Sequence, residues 1–146
     1  MKWITREHAK VDRVACPWLI RNFIDPEAEF RFVPAGEVLA VAAREGGHSY
    51  DAPGATYTHR DGRCSFEVLL EAYQLIDPAL AMLARIVHAA DVPADLALRP
   101  EAAGLRTIAE GFALTTPDDH QKLEREFAIY DALYAWCQRE VGTRVG

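Results

Sequence analysis

Cysteine is scarce and scattered: Cys16, Cys64 and Cys137 are the only three in 146 residues, and no two form a C-x-x-C pair. An odd, widely spaced set argues against a disulfide framework or a zinc ribbon and suits free thiols in a reducing compartment. Positive charge is also short. With 16 Lys and Arg against 22 Asp and Glu the net charge is −6, so direct nucleic-acid binding through a uniformly basic surface is not expected. No apolar run approaches the ~20 residues needed to cross a bilayer. The stretch Val14 to Ile20 is short and closed by Arg21, and the N-terminus has no apolar core of signal-peptide length. A cytoplasmic chain with no membrane partner is expected. Nucleophile elbow, P-loop, dinucleotide fingerprint, internal repeat and low-complexity tract are all missing.

What is present is ordinary globular material, 50% apolar and 26% charged, enough for a single domain over residues 1–146 that buries a core without staples. An opening strand is expected over Lys2 to Thr5, then a helix from Lys10 to Phe23 that Pro17 should kink or split. Alternation in Glu29-Phe30-Arg31-Phe32-Val33 marks a half-buried strand, and Gly36 to Arg44 reads as a short helix. After the Gly46-Gly47 turn, residues 48–63 are rich in Gly, Pro, Asp and Tyr, which suggests a short strand or two joined by ordered loops. Ser65 is the expected N-cap of a helix reaching Leu75. Asp77-Pro78 opens another, running to Asp91 and broken by Pro93. Further helices cover Glu101 to Leu114 and, capped by Asp118, a long segment to Val141. Strand–helix–strand at the start favours a parallel first pair. The fold class is α+β: a small mixed sheet from the N-terminal third packed against a mainly helical C-terminal part.

Chemistry concentrates in a few stretches. His88 and Asp91 are three apart on a helix and share a face, with Ala84 and Ala81 leaving room beside them. His59 lies on a strand end or loop, and Glu67 sits in the first turn of the helix that follows. Each has a bland alternative, a satisfied core histidine or a carboxylate complementing a helix dipole. Together the two imidazoles and two carboxylates make a mixed donor set suited to Zn, Fe or Mn. Cys64 is the soft-ligand alternative or an inert buried thiol. Arg6, Arg13 and Arg21, with Arg60 and Arg63 on the loop, present planar forks that suit tetrahedral oxyanions. Asp12 and Glu7 offer the competing role of local partners for these arginines. Asp131 has small neighbours in Ala128 and Ala135 and could orient a ligand histidine, or face solvent. His8, His48 and His120 are assigned no role.

Several blocks resemble the chromate-resistance protein family. They are Trp3-x-Thr5-Arg6, Val11-Asp12-Arg13-x-Ala15-Cys16-Pro17-Trp18-Leu19-Ile20-Arg21-x-Phe23-Ile24-Asp25-Pro26, Thr58-His59 with Cys64-x-Phe66-Glu67, Ile86-Val87-His88-x-Ala90-Asp91, and Tyr130-Asp131-Ala132-Leu133-Tyr134-Ala135-Trp136-Cys137. In longer members the corresponding region is the C-terminal half, behind a half associated with DNA binding and control of chromate efflux. This sequence begins almost at once with the Trp3 strand, so the resemblance implies a stand-alone version of that domain. It also implies ligands at His59, Glu67, His88 and Asp91, with Arg6 and Arg13 as anion contacts. The family is likened to iron/manganese superoxide dismutases, whose site uses three histidines and an aspartate. Only His59 and His88 fall in the matching blocks here.

Three functions stand open at this stage. The first is a metal-binding accessory or sensor domain in chromate and oxidative-stress resistance, with an oxyanion such as chromate bound by Arg6, Arg13 and Arg63 near a Zn, Fe or Mn ion. Its ligands are His59, Glu67, His88 and Asp91, supported by Asp131 and Cys64. The second is a metal-dependent redox enzyme acting on chromate, superoxide or another small substrate. The third is a ligand-free module in which the long last helix pairs two copies as a homo-oligomer.

Overall fold

A computed structural model of the chain describes residues 1–145. Strand β1 (Lys2–Arg6) leads into helix α1 (Val11–Leu19), whose last turns widen into a π-helical segment, Ile20–Ile24. Pro17 does not split α1. It sits at the seventh position of a nine-residue helix, where its missing N–H removes one backbone bond. The irregularity falls after it, where Asp25 N–H reaches back to the Ile20 carbonyl at 2.7 Å.

Strand β2 (Glu29–Val33) pairs with β1 in parallel along its whole length, from Lys2 opposite Glu29 to Arg6 opposite Val33. A 3-10 turn at Ala35–Glu37 runs into α2 (Val38–Glu45), and β3 (His48–Ser49) returns to the other edge of β1, again parallel. The sheet order is β2-β1-β3. Its three strands are therefore all parallel, not mixed as expected. Both crossovers are helical, and a helix-bridged strand comes back in the direction of its predecessor. The α2–β3 turn needs its glycines. Gly46 takes φ +65°, and a Cβ on Gly47 would meet the Lys2 backbone carbonyl at 2.8 Å, so only glycine lets this turn lie against β1.

The remaining helices are α3 (Ser65–Ala72), α4 (Pro78–Asp91), α5 (Ala102–Thr115) and α6 (Asp119–Val145), with a 3-10 stretch at Pro93–Leu98. Asp77 caps α4 by accepting from Ala79 N–H at 2.8 Å, with Pro78 in its favoured first position. Asp118 performs the same service for α6 through Gln121 N–H. The cap of α3 differs from expectation: Cys64 holds the N-cap position and Ser65 is already helical. That helix also stops at Ala72, short of Leu75, where Gln74 turns the chain at φ 51°.

Strand alternation divides the core. Trp3 joins the main cluster with α1 and the later helices, whereas Ile4 faces Val33 and the α2 residues Val38, Val41 and Ala42. Helix α1 is the hub. It packs against α3, α4, α5 and α6, and all its residues except Arg13 are buried. A helix buried all round has no solvent face on which to place its charges. Asp12, in its first turn, must find partners inside.

Candidate metal centre

Asp12 finds them on α3. Its Oδ2 accepts from Ser65 N–H at 2.8 Å, and its Oδ1 accepts from Phe66 N–H at 3.2 Å and from the Cys16 thiol at 3.4 Å. The free N–H groups opening α3 are thus satisfied by a carboxylate fifty residues away, a charge-to-dipole contact as well as a cap. Ser65 turns its hydroxyl elsewhere, donating to Asp51 Oδ1 at 2.7 Å. Asp51 follows β3, in the left-handed region at φ 45°, which Asp tolerates better than most residues. Arg13 Nη1 donates to its Oδ2 at 3.2 Å, and Arg6 Nε donates to its carbonyl at 3.0 Å.

His59 reaches into this arrangement from the loop. Its Nε2 lies 3.1 Å from Asp91 Oδ2, 3.4 Å from Asp51 Oδ1 and 3.5 Å from Asp12 Oδ2. One imidazole nitrogen faces three carboxylates from three elements. Donor atoms of Asp12, His59 and Asp91 all lie within 4.8 Å of one another. Two carboxylates at that separation repel by roughly 3–4 kcal/mol at an effective dielectric of 20, and burial raises the cost. Asp12 shows it: burial first, and then the neighbouring Asp51, push its carboxyl up to about 7. Burial would also raise Asp51, but donation from His59 and Ser65 and the charge of Arg13 prevail and bring it down to about 2. Asp91 is raised by burial and by Asp51. His59 is pushed up to about 10 by its hydrogen bonds to Asp12 and Asp51.

The donor spacing fits an ion. Metal–ligand bonds of about 2.0–2.2 Å put neighbouring donors about 2.8–3.6 Å apart in octahedral or tetrahedral geometry, a range that includes the distances from His59 Nε2 to the three carboxylates. The His59 side chain is 45% exposed while Asp12 is fully buried, so the histidine is the solvent-facing member of the cage. Asp91 also borders a cleft of about 400 Å³ with Lys10, Arg106 and Glu110.

His88 does not join. Its Nδ1 contacts Glu67 Oε1 and its Nε2 contacts Asp95 Oδ2, each at 2.6 Å. The expected four-ligand set of His59, Glu67, His88 and Asp91 is divided into two clusters flanking the start of α3. Asp12 takes Ser65 N–H on one side, and Glu67 takes Cys64 N–H at 2.9 Å on the other. Residues three apart on a helix are offset by about 60° around its axis, and here that offset sends His88 and Asp91 to different partners.

A family model described as "ChrB, C-terminal domain" matches residues 3–137. The protein named "Protein ChrB" from Cupriavidus metallidurans (strain ATCC 43123 / DSM 2839 / NBRC 102507 / CH34) is 39% identical over 134 residues, covering 91% of this chain and 40% of that relative. This chain belongs to the ChrB C-terminal-domain family. It spans about two-fifths of the length of that relative. No solved structure gives a significant match.

Within this ChrB-family domain the other expected site residues are placed as follows. Arg6 and Arg13 border the cage, but both clasp Asp51. Arg63 pairs with Glu71 instead, because the α3 helix presents that carboxylate directly to its loop. Cys64 is buried beside Glu67 and His88. Asp131 orients no histidine: its Oδ1 accepts from Trp18 Nε1 at 2.8 Å, since α6 packs on α1 and the indole N–H needs an acceptor there. Asp12, Asp51 and Asp95 were missed as site residues. Asp12 stands in the longest family block, which is the one sequence signal that marked it. Asp51 and Asp95 lie in turn-rich segments where an aspartate is ordinary.

Proposed function

We propose that this domain binds a transition metal in the cage of Asp12, His59 and Asp91, with Asp51 alongside, and serves chromate resistance in the cytoplasm as an accessory or sensor domain. The observation that carries this reading is the approach of His59 Nε2 to three carboxylates at metal-donor spacing. Of Zn, Fe and Mn, a set with one imidazole and several carboxylates favours the harder Mn and Fe. The family supports the link to chromate. Of the two arginines beside the cage, Arg6 is the one an oxyanion would meet from solvent, its side chain being 39% exposed against 12% for Arg13.

The test is metal loading of the full chain. Stripped protein is given Mn²⁺, Fe²⁺ or Zn²⁺, desalted and analysed for metal, with His59→Ala alongside. The variant should hold about one equivalent less than the parent at unchanged far-ultraviolet circular dichroism. Equal loading of both proteins would overturn the reading. A metal-dependent redox enzyme acting on chromate or superoxide is the second reading, favoured by the half-exposed His59 side chain, which brings one ligand of the cage within reach of a small substrate. Chromate reduction or superoxide consumption by loaded protein, abolished in His59→Ala, would decide for it.

A further inference from the structure

The histidine left out of the cage has its own donors. Cys64 Sγ, a Glu67 oxygen and a His88 ring nitrogen all lie within 4.8 Å of one another, and none of these residues belongs to the His59 cluster. A thiol, an imidazole and a carboxylate form a softer set than the cage offers. Asp95 adds a separate observation. It holds His88 Nε2 at 2.6 Å, leaving Nδ1 for Glu67 and its neighbourhood. A carboxylate on the far ring nitrogen is the arrangement that orients metal-binding histidines. The surroundings leave space as well. Glu67, though not Cys64 or His88, lines a groove of about 910 Å³ together with Ala81 and Ala84, so the carboxylate is the donor that borders open space.

We propose that Cys64, Glu67 and His88 form a second metal site, separate from the cage, for a borderline-soft divalent cation of the zinc class, with Asp95 as the positioning residue. Three protein ligands leave a fourth position for water or another small ligand. The 2.6 Å contact between His88 Nδ1 and Glu67 is hydrogen-bond spacing, shorter than the roughly 3.3 Å that bonds near 2.0–2.3 Å require between donors. Loading therefore releases the proton between them to solvent and swings the Glu67 carboxylate outward by less than about 1 Å. The Cys64 thiol gives up its proton to solvent as the ion binds.

Cobalt tests this without relying on the cage. Metal-free full-length chain titrated with Co²⁺ should develop a near-ultraviolet thiolate-to-cobalt band that saturates at about one equivalent and disappears when Zn²⁺ is added. Cys64→Ser and His88→Gln should lose the band, whereas His59→Ala should keep it. Asp95→Asn leaves all three donors in place on a surface segment and should weaken cobalt binding about 10–100-fold, which keeps the test decisive if a core variant misfolds. No band in the parent, a band unchanged in Cys64→Ser, or undiminished affinity in Asp95→Asn would each overturn the second site. Loss of metal from His59→Ala with the band retained upholds both sites. A retained band with no metal lost from His59→Ala removes only the cage.

Discussion

Two histidines flank the opening turn of α3, and they are bound in different ways. His59 comes from a loop, is nearly half exposed, and points one nitrogen at three carboxylates 3.1–3.5 Å away. His88 comes from the last turn of α4, is mostly buried, and spends both nitrogens on two carboxylates at 2.6 Å. The first gathers carboxylates around one nitrogen; the second holds an imidazole between two carboxylates, with the Cys64 thiol beside them. What they share is the positive end of α3, whose first N–H groups are taken by Asp12 on one side and Glu67 on the other. A short helix has gathered two acidic clusters at its N-terminus, and each has recruited an imidazole to offset its charge.

The largest effect that sharpens this contrast is expected at Asp12. Asp12→Ala should destabilise the chain by about 3 kcal/mol in denaturant melts, because the opening N–H groups of α3 lose their acceptor in a buried place. If the loss is below ~1 kcal/mol, the cage is not part of the scaffold. His88→Ala should cost less, about 1–2 kcal/mol, since two charge-assisted hydrogen bonds go but solvent reaches the vacated carboxylates.

Alkaline pH should separate the histidines further. The folded-state value for His59 lies near 10, above its ordinary 6.5. Its contribution to the metal-free protein is therefore complete below about pH 6.5 and lost as pH rises through about 10. Thermal melts should fall across that window, and His59→Ala should remove most of the slope. His88 is also raised, with burial opposed and outweighed by Asp95 and Glu67, so it acts with the same sign and leaves a residual slope that His88→Ala abolishes. The smallest effect belongs to Asp95→Asn. Its carboxylate is 38% exposed, and an ion pair so placed contributes about 0.5 kcal/mol. A loss several times larger would mean that the His88 clamp, rather than the cage, anchors α4.

Much of the scaffold was legible in advance. The Asp77-Pro78 and Asp118 caps, the β2 alternation and the helical periods are local signals, and the helices and strands stand close to where they predict. The parallel pairing of β1 with β2 follows from the helix between them. The candidate site was legible only in pieces. Asp12 next to Arg13 suggested a local ion pair, yet neighbours on a helix point about 100° apart. Asp12 goes to α3 and Arg13 to Asp51. Ser65 looked like a cap because its type caps helices; the true acceptor arrives from α1 and leaves the Ser65 hydroxyl for Asp51.

Sequence alone determined the family, the α+β class and the candidate histidines, because motif blocks, helical periods and cap residues are properties of neighbouring positions. The tertiary structure decided which carboxylate meets which imidazole. Asp12, Asp51 and Asp91 converge on His59 only because α1, the loop after β3 and the end of α4 pack around one helix terminus. A charge buried by packing takes whatever partner packing brings to it, and no spacing along the chain encodes that choice.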